Sequence, residues 1–190
     1  MKQLKRVVYY VWIAAIVLLL GFFVISPESF EPAKMAAFLE RYQEQAFLVY
    51  VLISLLRGLF LIPSTPFVIC GAILFPQMPL AVFTVSMLGV LLGSTLIYFF
   101  SDLLGFSEKL ERKYPKQLEK WHRRLNSPKA TLIVIAWSFF PLVPTDLICY
   151  VAGIVKMPYK FLILGVFIGE LVLIYFYVYL GTGLFDYFAA

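Results

Sequence analysis

Three ionisable residues sit inside apolar runs and are the foremost candidates for chemistry: Arg57, Asp146 and Glu170. A charged side chain in hydrocarbon is costly, and it marks a substrate path, a proton relay or a structural ion pair. Arg57 lies six residues before Pro63. A guanidinium matches a lipid phosphate through paired donors; its other readings are a structural ion pair or a stem that snorkels to the interface. Asp146 follows Pro144. It either gates or carries a proton, approaching Arg57 if their segments meet, or it caps the short helix after Pro144, because Asp is a good N-cap. Glu170 follows Gly169 with no cation within one helical turn. Its partner therefore comes from another segment, or the group holds a proton.

The other reactive residue types point away from catalysis. The single histidine, His122, lies beside Trp121 in a charged loop and reads as solvated or interfacial. Cys70 and Cys149 stand in apolar segments outside any CxxC or Cys/His spacing and read as small buried hydrophobes. Asp102 falls near the end of its apolar run and reads as interfacial. No HExxH, GxSxG, P-loop or dinucleotide fingerprint is present. The expectation is a chain that is not an enzyme and takes no metal or cofactor.

Of the 190 residues, 62% are hydrophobic and 14% are charged, against about 45–50% and about 25% in a soluble domain. The mean hydropathy is +0.90. These values predict an all-α polytopic membrane protein. The net charge of +5 collects in stretches flanking apolar runs, which is a topology signal and not a nucleic-acid groove. Apolar runs cover 7–25, 46–75, 79–104, 130–155 and 161–185. The first, longer than a usual signal h-region and followed by no A-x-A-like site, reads as an uncleaved transmembrane helix. Between it and the next, Pro32 to Gln45 reads as an amphipathic interfacial helix with Met35, Phe38, Leu39 and Tyr42 on one face.

Lys2, Lys5 and Arg6 precede the first run, and loop 107–129 carries eight Lys or Arg against three Glu. The positive-inside rule places both in the cytoplasm. Segment 26–45, with Glu28, Glu31, Glu40 and Glu44 against Lys34 and Arg41, then lies outside. Segment 46–75 must start and end outside, and 130–155 must start and end inside, as re-entrant hairpins or paired short spans. The C-terminus is then external.

Each hairpin carries the same break. Pro63-Ser64-Thr65-Pro66, Gly71 and Pro76 are matched by Pro141-Leu142-Val143-Pro144, Gly153 and Pro158. Paired prolines remove backbone donors and interrupt a helix, which lipid tolerates only where protein or a watery cavity covers the freed groups. Ser64 and Thr65 are placed to bond broken-helix carbonyls or a headgroup. The following helices also match: Gly89 to Gly93 and Gly165 to Gly169 are GxxxG pairs offset by 76 residues, a spacing that lets backbones approach. With opposite starting sides, the halves form an inverted repeat, 46–105 and 130–185 around the basic loop 106–129, preceded by 1–45.

The run from Arg57 to Pro66, and above all Phe140 to Gly153 with its P-x-x-P-x-D-x-x-x-Y-x-A-G pattern including Tyr150, resembles the DedA superfamily, in its VTT-domain (SNARE-associated) branch. The resemblance covers roughly residues 40–185. It implies a bacterial plasma-membrane protein with two opposed re-entrant hairpins, acting in membrane homeostasis as a lipid transporter or scramblase for a phospholipid or polyprenyl phosphate. Where the family often carries Arg, this chain has Ser138; where it often has Gly-Asp and Gly-Arg pairs, it has Gly93-Ser94 and Ser101-Asp102. The alternatives are a proton-coupled solute or ion transporter working through Asp146 and Glu170, and a non-transporting assembly scaffold. Membrane lipids are the expected partners, nucleic acid is not, and the GxxxG pairs leave oligomeric state open.

Overall fold

The computed structural model describes residues 25–60, 62–103, 127–140 and 143–180, together with isolated positions at 10, 14, 15, 17, 18, 21, 22, 116, 119, 120 and 125. The described residues hold helices and turns and no strand. Of the first apolar run only positions such as Tyr10, Leu18 and Ile25 are described, and they are helical. The remainder of that run, most of loop 107–129 with His122, and residues 181–190 lie outside the described residues, as does Pro141.

The helix expected over Pro32 to Gln45 is shorter than the sequence pattern predicts. Helix α1 spans Pro32–Glu40, and a turn leads to a 3-10 segment, Gln43–Gln45. The helical ladder tightens where the Arg41 N–H meets the Phe38 carbonyl at 3.3 Å, and Gln43 then takes a positive φ of 47°. That turn also splits the predicted apolar face. Leu39 is buried, whereas Phe38 and Tyr42 are exposed and in edge-on contact with each other.

Helix α2, Ala46–Leu56, runs into a 3-10 turn, Arg57–Phe60; α3, Thr65–Leu74, follows the break; and the long α4 is Pro79–Leu103. The second half repeats this order with α5, Pro128–Ser138, α6, Thr145–Ile154, and the long α7, Tyr159–Tyr175, which continues as a π-helical turn, Phe176–Leu180. The four shorter helices of the two broken segments have 10 or 11 residues each, about 15 Å and so half of a ~30 Å hydrocarbon core. Pro79–Ser101 and Tyr159–Leu180, with 23 and 22 residues, are long and apolar enough to cross a membrane.

The halves interlock. Within each, the long helix packs on the first helix of its own broken segment, α4 on α2 and α7 on α5. The glycine pairs make those contacts. A Cβ on Gly89 would stand 2.5 Å from the Ser54 carbonyl, one on Gly58 would collide with Gly93, and one on Gly169 would lie 2.7 Å from the Ser138 Cβ. Both GxxxG pairs are therefore occupied in packing within this chain. Across the halves, α6 and α7 pack on α4, and α3 packs on the Phe176–Leu180 turn.

Candidate functional site

At each proline break a side chain from the preceding helical segment donates to a backbone carbonyl. In the first half, the Arg57 Nη1 donates to the Ile62 carbonyl at 2.9 Å, while the Ile62 N–H donates to the Arg57 carbonyl at 3.3 Å. In the second, the Trp137 Nε1 donates to the Pro144 carbonyl at 3.3 Å. Carbonyls that the breaks release from the helical ladder, costly in hydrocarbon if left alone, thus find donors. Ser64 caps α3 through its backbone, its carbonyl accepting from the Phe67 and Val68 N–H groups at 3.0 and 3.1 Å; its hydroxyl makes no capping bond. Pro63 and Thr65 are half-buried around it, and Pro66 occupies the first turn of α3, where a missing N–H matters least.

Arg57 is buried to 4% exposure, Asp146 to 8% and Glu170 to 1%. They come from three separate elements: the 3-10 turn after α2, the first turn of α6 and the middle of α7. All three are within electrostatic reach of one another. Arg57 acts on both carboxylates through space, without a direct ion pair. The Thr145 hydroxyl donates to Glu170 Oε1, tying α6 to α7. Asp146 does not cap α6: Pro144 holds the N-cap position and Asp146 sits within the first turn. The proline supplies the extended backbone that a cap residue needs, with φ −61° and ψ 124°, so the carboxylate is left to face the interior.

Six further hydroxyl side chains are buried in the chain: Ser54, Ser86, Ser94, Ser101, Thr131 and Ser138. The hydroxyls of Thr131 and Ser138 have no hydrogen-bond partner, whereas Ser54 lies against Tyr50 and Ser94 against Cys149. Tyr50, fully buried, shares a hydrogen bond of 3.1 Å with Ser86. Its ring fills the space beside Gly71, where a Cβ would collide with the hydroxyl. Gly153 lets α6 approach Ser101 and the Tyr98 carbonyl of α4 as closely. Tyr150 is half-buried against the apolar core. Cys70 and Cys149 are both fully buried as free thiols.

The sequence pattern singled out the three charges, and Ser94, Ser101 and Ser138 only as departures from the family pattern; it did not mark Ser54, Ser86 or Thr131. One signal was available: Tyr50, Ser54 and Arg57 recur at helical spacing along a single face. Thr145 and Trp137 carry no such signal, because their partners lie across a break or on another helix.

The described residues are helical, with two apolar helices of membrane length and a buried cluster of opposite charges where the two halves meet. The model of the VTT domain matches residues 62–183. The chain belongs to that family, the DedA/SNARE-associated group, which is membrane-associated and often linked to membrane homeostasis or transport. No curated protein and no solved structure matches the chain.

Proposed function

We propose that this chain is a lipid transporter or scramblase of the bacterial plasma membrane, passing a phospholipid or polyprenyl-phosphate headgroup between its two halves while the acyl chains stay in the bilayer. The observation that carries the reading is the burial of Arg57, Asp146 and Glu170 together at the meeting of both halves. The guanidinium makes no direct ion pair with either carboxylate, which suits a group that must release and regain a phosphate. The half-membrane lengths of the broken helices support two opposed re-entrant hairpins in an inverted repeat, with the N-terminus and the basic loop inside and the C-terminus outside. The protein works without covalent catalysis, metal or cofactor, and lipids are its partners. Vesicles reconstituted with the chain and carrying fluorescent phospholipid or polyprenyl phosphate test this: flipping above the rate of protein-free vesicles supports it, and equality across neutral, anionic and polyprenyl lipids overturns it.

A second reading, proton-coupled movement of a small solute or ion, is favoured by one count. The cluster holds a single guanidinium against two carboxyl groups, so its neutral form contains one proton. Solute uptake that depends on pH and is lost in Asp146→Asn or Glu170→Gln would favour it over lipid transfer.

A further inference from the structure

A cavity of about 280 Å³ lies between α1 and the first broken segment. Met35, Phe38 and Leu39 line it from α1, and Tyr50, Ile53 and Phe67 from α2 and α3; Ser29 and Lys34 add polar groups. It is smaller than the ~300–1,000 Å³ of pockets that enclose a whole ligand, so it admits a segment of a chain with the remainder outside. All of its lining except Phe67 precedes residue 62, where the match to the VTT domain begins.

The charges beside it have a definite pattern. The Lys34 ammonium stands 2.7 Å from Glu28 and 3.5 Å from Glu31, and both carboxylates are largely exposed. The hydrogen bond between Lys34 and Glu28 holds the Glu28 carboxyl below its usual 4.5 and the Lys34 ammonium above its usual 10.5. At neutral pH the group therefore presents one cation between two anions. The group carries one positive and two negative charges, a net of −1, and so disfavours a headgroup with phosphate alone. A headgroup with both a phosphate and an ammonium pairs with it, phosphate on Lys34 and ammonium on Glu28 or Glu31.

We propose that this cavity binds a zwitterionic phospholipid, with its headgroup on the Glu28–Lys34–Glu31 triad and the upper part of one acyl chain between Phe38 and Phe67. The inference rests on the lipid-transport reading and deepens it by naming the headgroup class. Tyr50 links the two places, since it lines the cavity and shares a helix face with Ser54 and Arg57.

The test uses the full chain in vesicles containing a trace of phosphatidylethanolamine or phosphatidylglycerol, each with a photoactivatable group high in an acyl chain. Crosslinks are mapped by mass spectrometry. The expected result is labelling by phosphatidylethanolamine at Met35, Phe38 or Phe67 well above that at Leu80 and Leu132, which face outward. In Glu28→Gln/Glu31→Gln the preference over phosphatidylglycerol falls about two- to fivefold, the scale of exposed charge pairs. Ile53→Trp, which fills the cavity, removes the labelling at Met35. Labelling no greater than at Leu80, or equal labelling by both lipids in the wild type, overturns the site. Arg57→Ala separates the two ideas: flipping should fall while crosslinking persists. Flipping absent from the wild type with crosslinks present defeats the transport reading alone, and flipping intact with no crosslinks defeats this site alone.

Discussion

Arg57 and Ile62 close a ring at the entry to the first proline break: the Ile62 N–H donates to the Arg57 carbonyl at 3.3 Å, and the guanidinium returns a bond of 2.9 Å to the Ile62 carbonyl. The same side chain faces Asp146 and Glu170 through space. It is therefore both a strut for the broken helix and the positive member of the buried cluster. Arg57→Ala removes both roles and leaves two buried carboxyl groups without their cation, a loss of about 3–5 kcal/mol. Arg57→Lys keeps the charge without the planar fork and should fall between. Thermal unfolding in detergent measures the order, and equal midpoints for Arg57→Ala and wild type would contradict it.

The bond from Thr145 to Glu170 makes a separable prediction. Thr145→Val strips the carboxylate of a buried donor and should cost about 1–3 kcal/mol. Glu170→Gln still accepts from Thr145 and should fold as the wild type does. If Thr145→Val is as stable as wild type, the contact does not hold α6 to α7.

Close approach at the glycines is testable by adding one methyl. Gly58→Ala and Gly169→Ala press on Gly93 and on Ser138 respectively, and each should lose about 1–3 kcal/mol by overpacking. Gly21, with nothing within 4 Å of an added Cβ, serves as the control and should tolerate alanine.

Ser138 stands where the family resemblance led to the expectation of an arginine. It is fully buried and sits against Gly169, with its hydroxyl unpartnered. Ser138→Ala should leave stability unchanged or raise it, because it removes an unsatisfied polar atom. Ser138→Arg must part α5 from α7 and should lower the unfolding midpoint. A midpoint at or above wild type for the arginine variant would contradict that packing.

The breaks, the long helices and the three buried charges were legible because each has a local cause: paired prolines at 63 and 66, apolar length, and charges stranded in apolar runs. The end of α1 was not, since the positive φ at Gln43 comes from the turn into α2 and not from an apolar period. For Asp146 the sequence left two places open, near Arg57 or at the cap, and the preceding Pro144 took the cap. The buried hydroxyls needed the tertiary structure, since Ser94, Thr131 and Ser138 gain meaning only from the helices that meet them.

The Lys34–Glu28 pair has a defined pH window. Glu28 has a lowered value, so its contribution is full above the usual 4.5 and is lost as pH falls through its lower value in the folded chain. Lys34 has a raised value, so its contribution is full below the usual 10.5 and is lost as pH rises past its higher folded value. Headgroup preference at this site should be flat between these limits and decline only in acid or strong base. Crosslinking across a pH series measures it, and a transition near neutrality would contradict the assignment.

The central claim is that a lipid headgroup crosses by way of the buried charges. The most direct measurement compares flipping of fluorescent phospholipid and polyprenyl phosphate in vesicles holding wild type, Arg57→Lys, Arg57→Ala or no protein, at matched reconstitution and with folding confirmed for each. The account predicts flipping above the protein-free rate for wild type with at least one lipid, reduced flipping for Arg57→Lys, and the protein-free rate for Arg57→Ala. Wild-type flipping at the protein-free rate for every lipid, or undiminished flipping in folded Arg57→Ala, would contradict it.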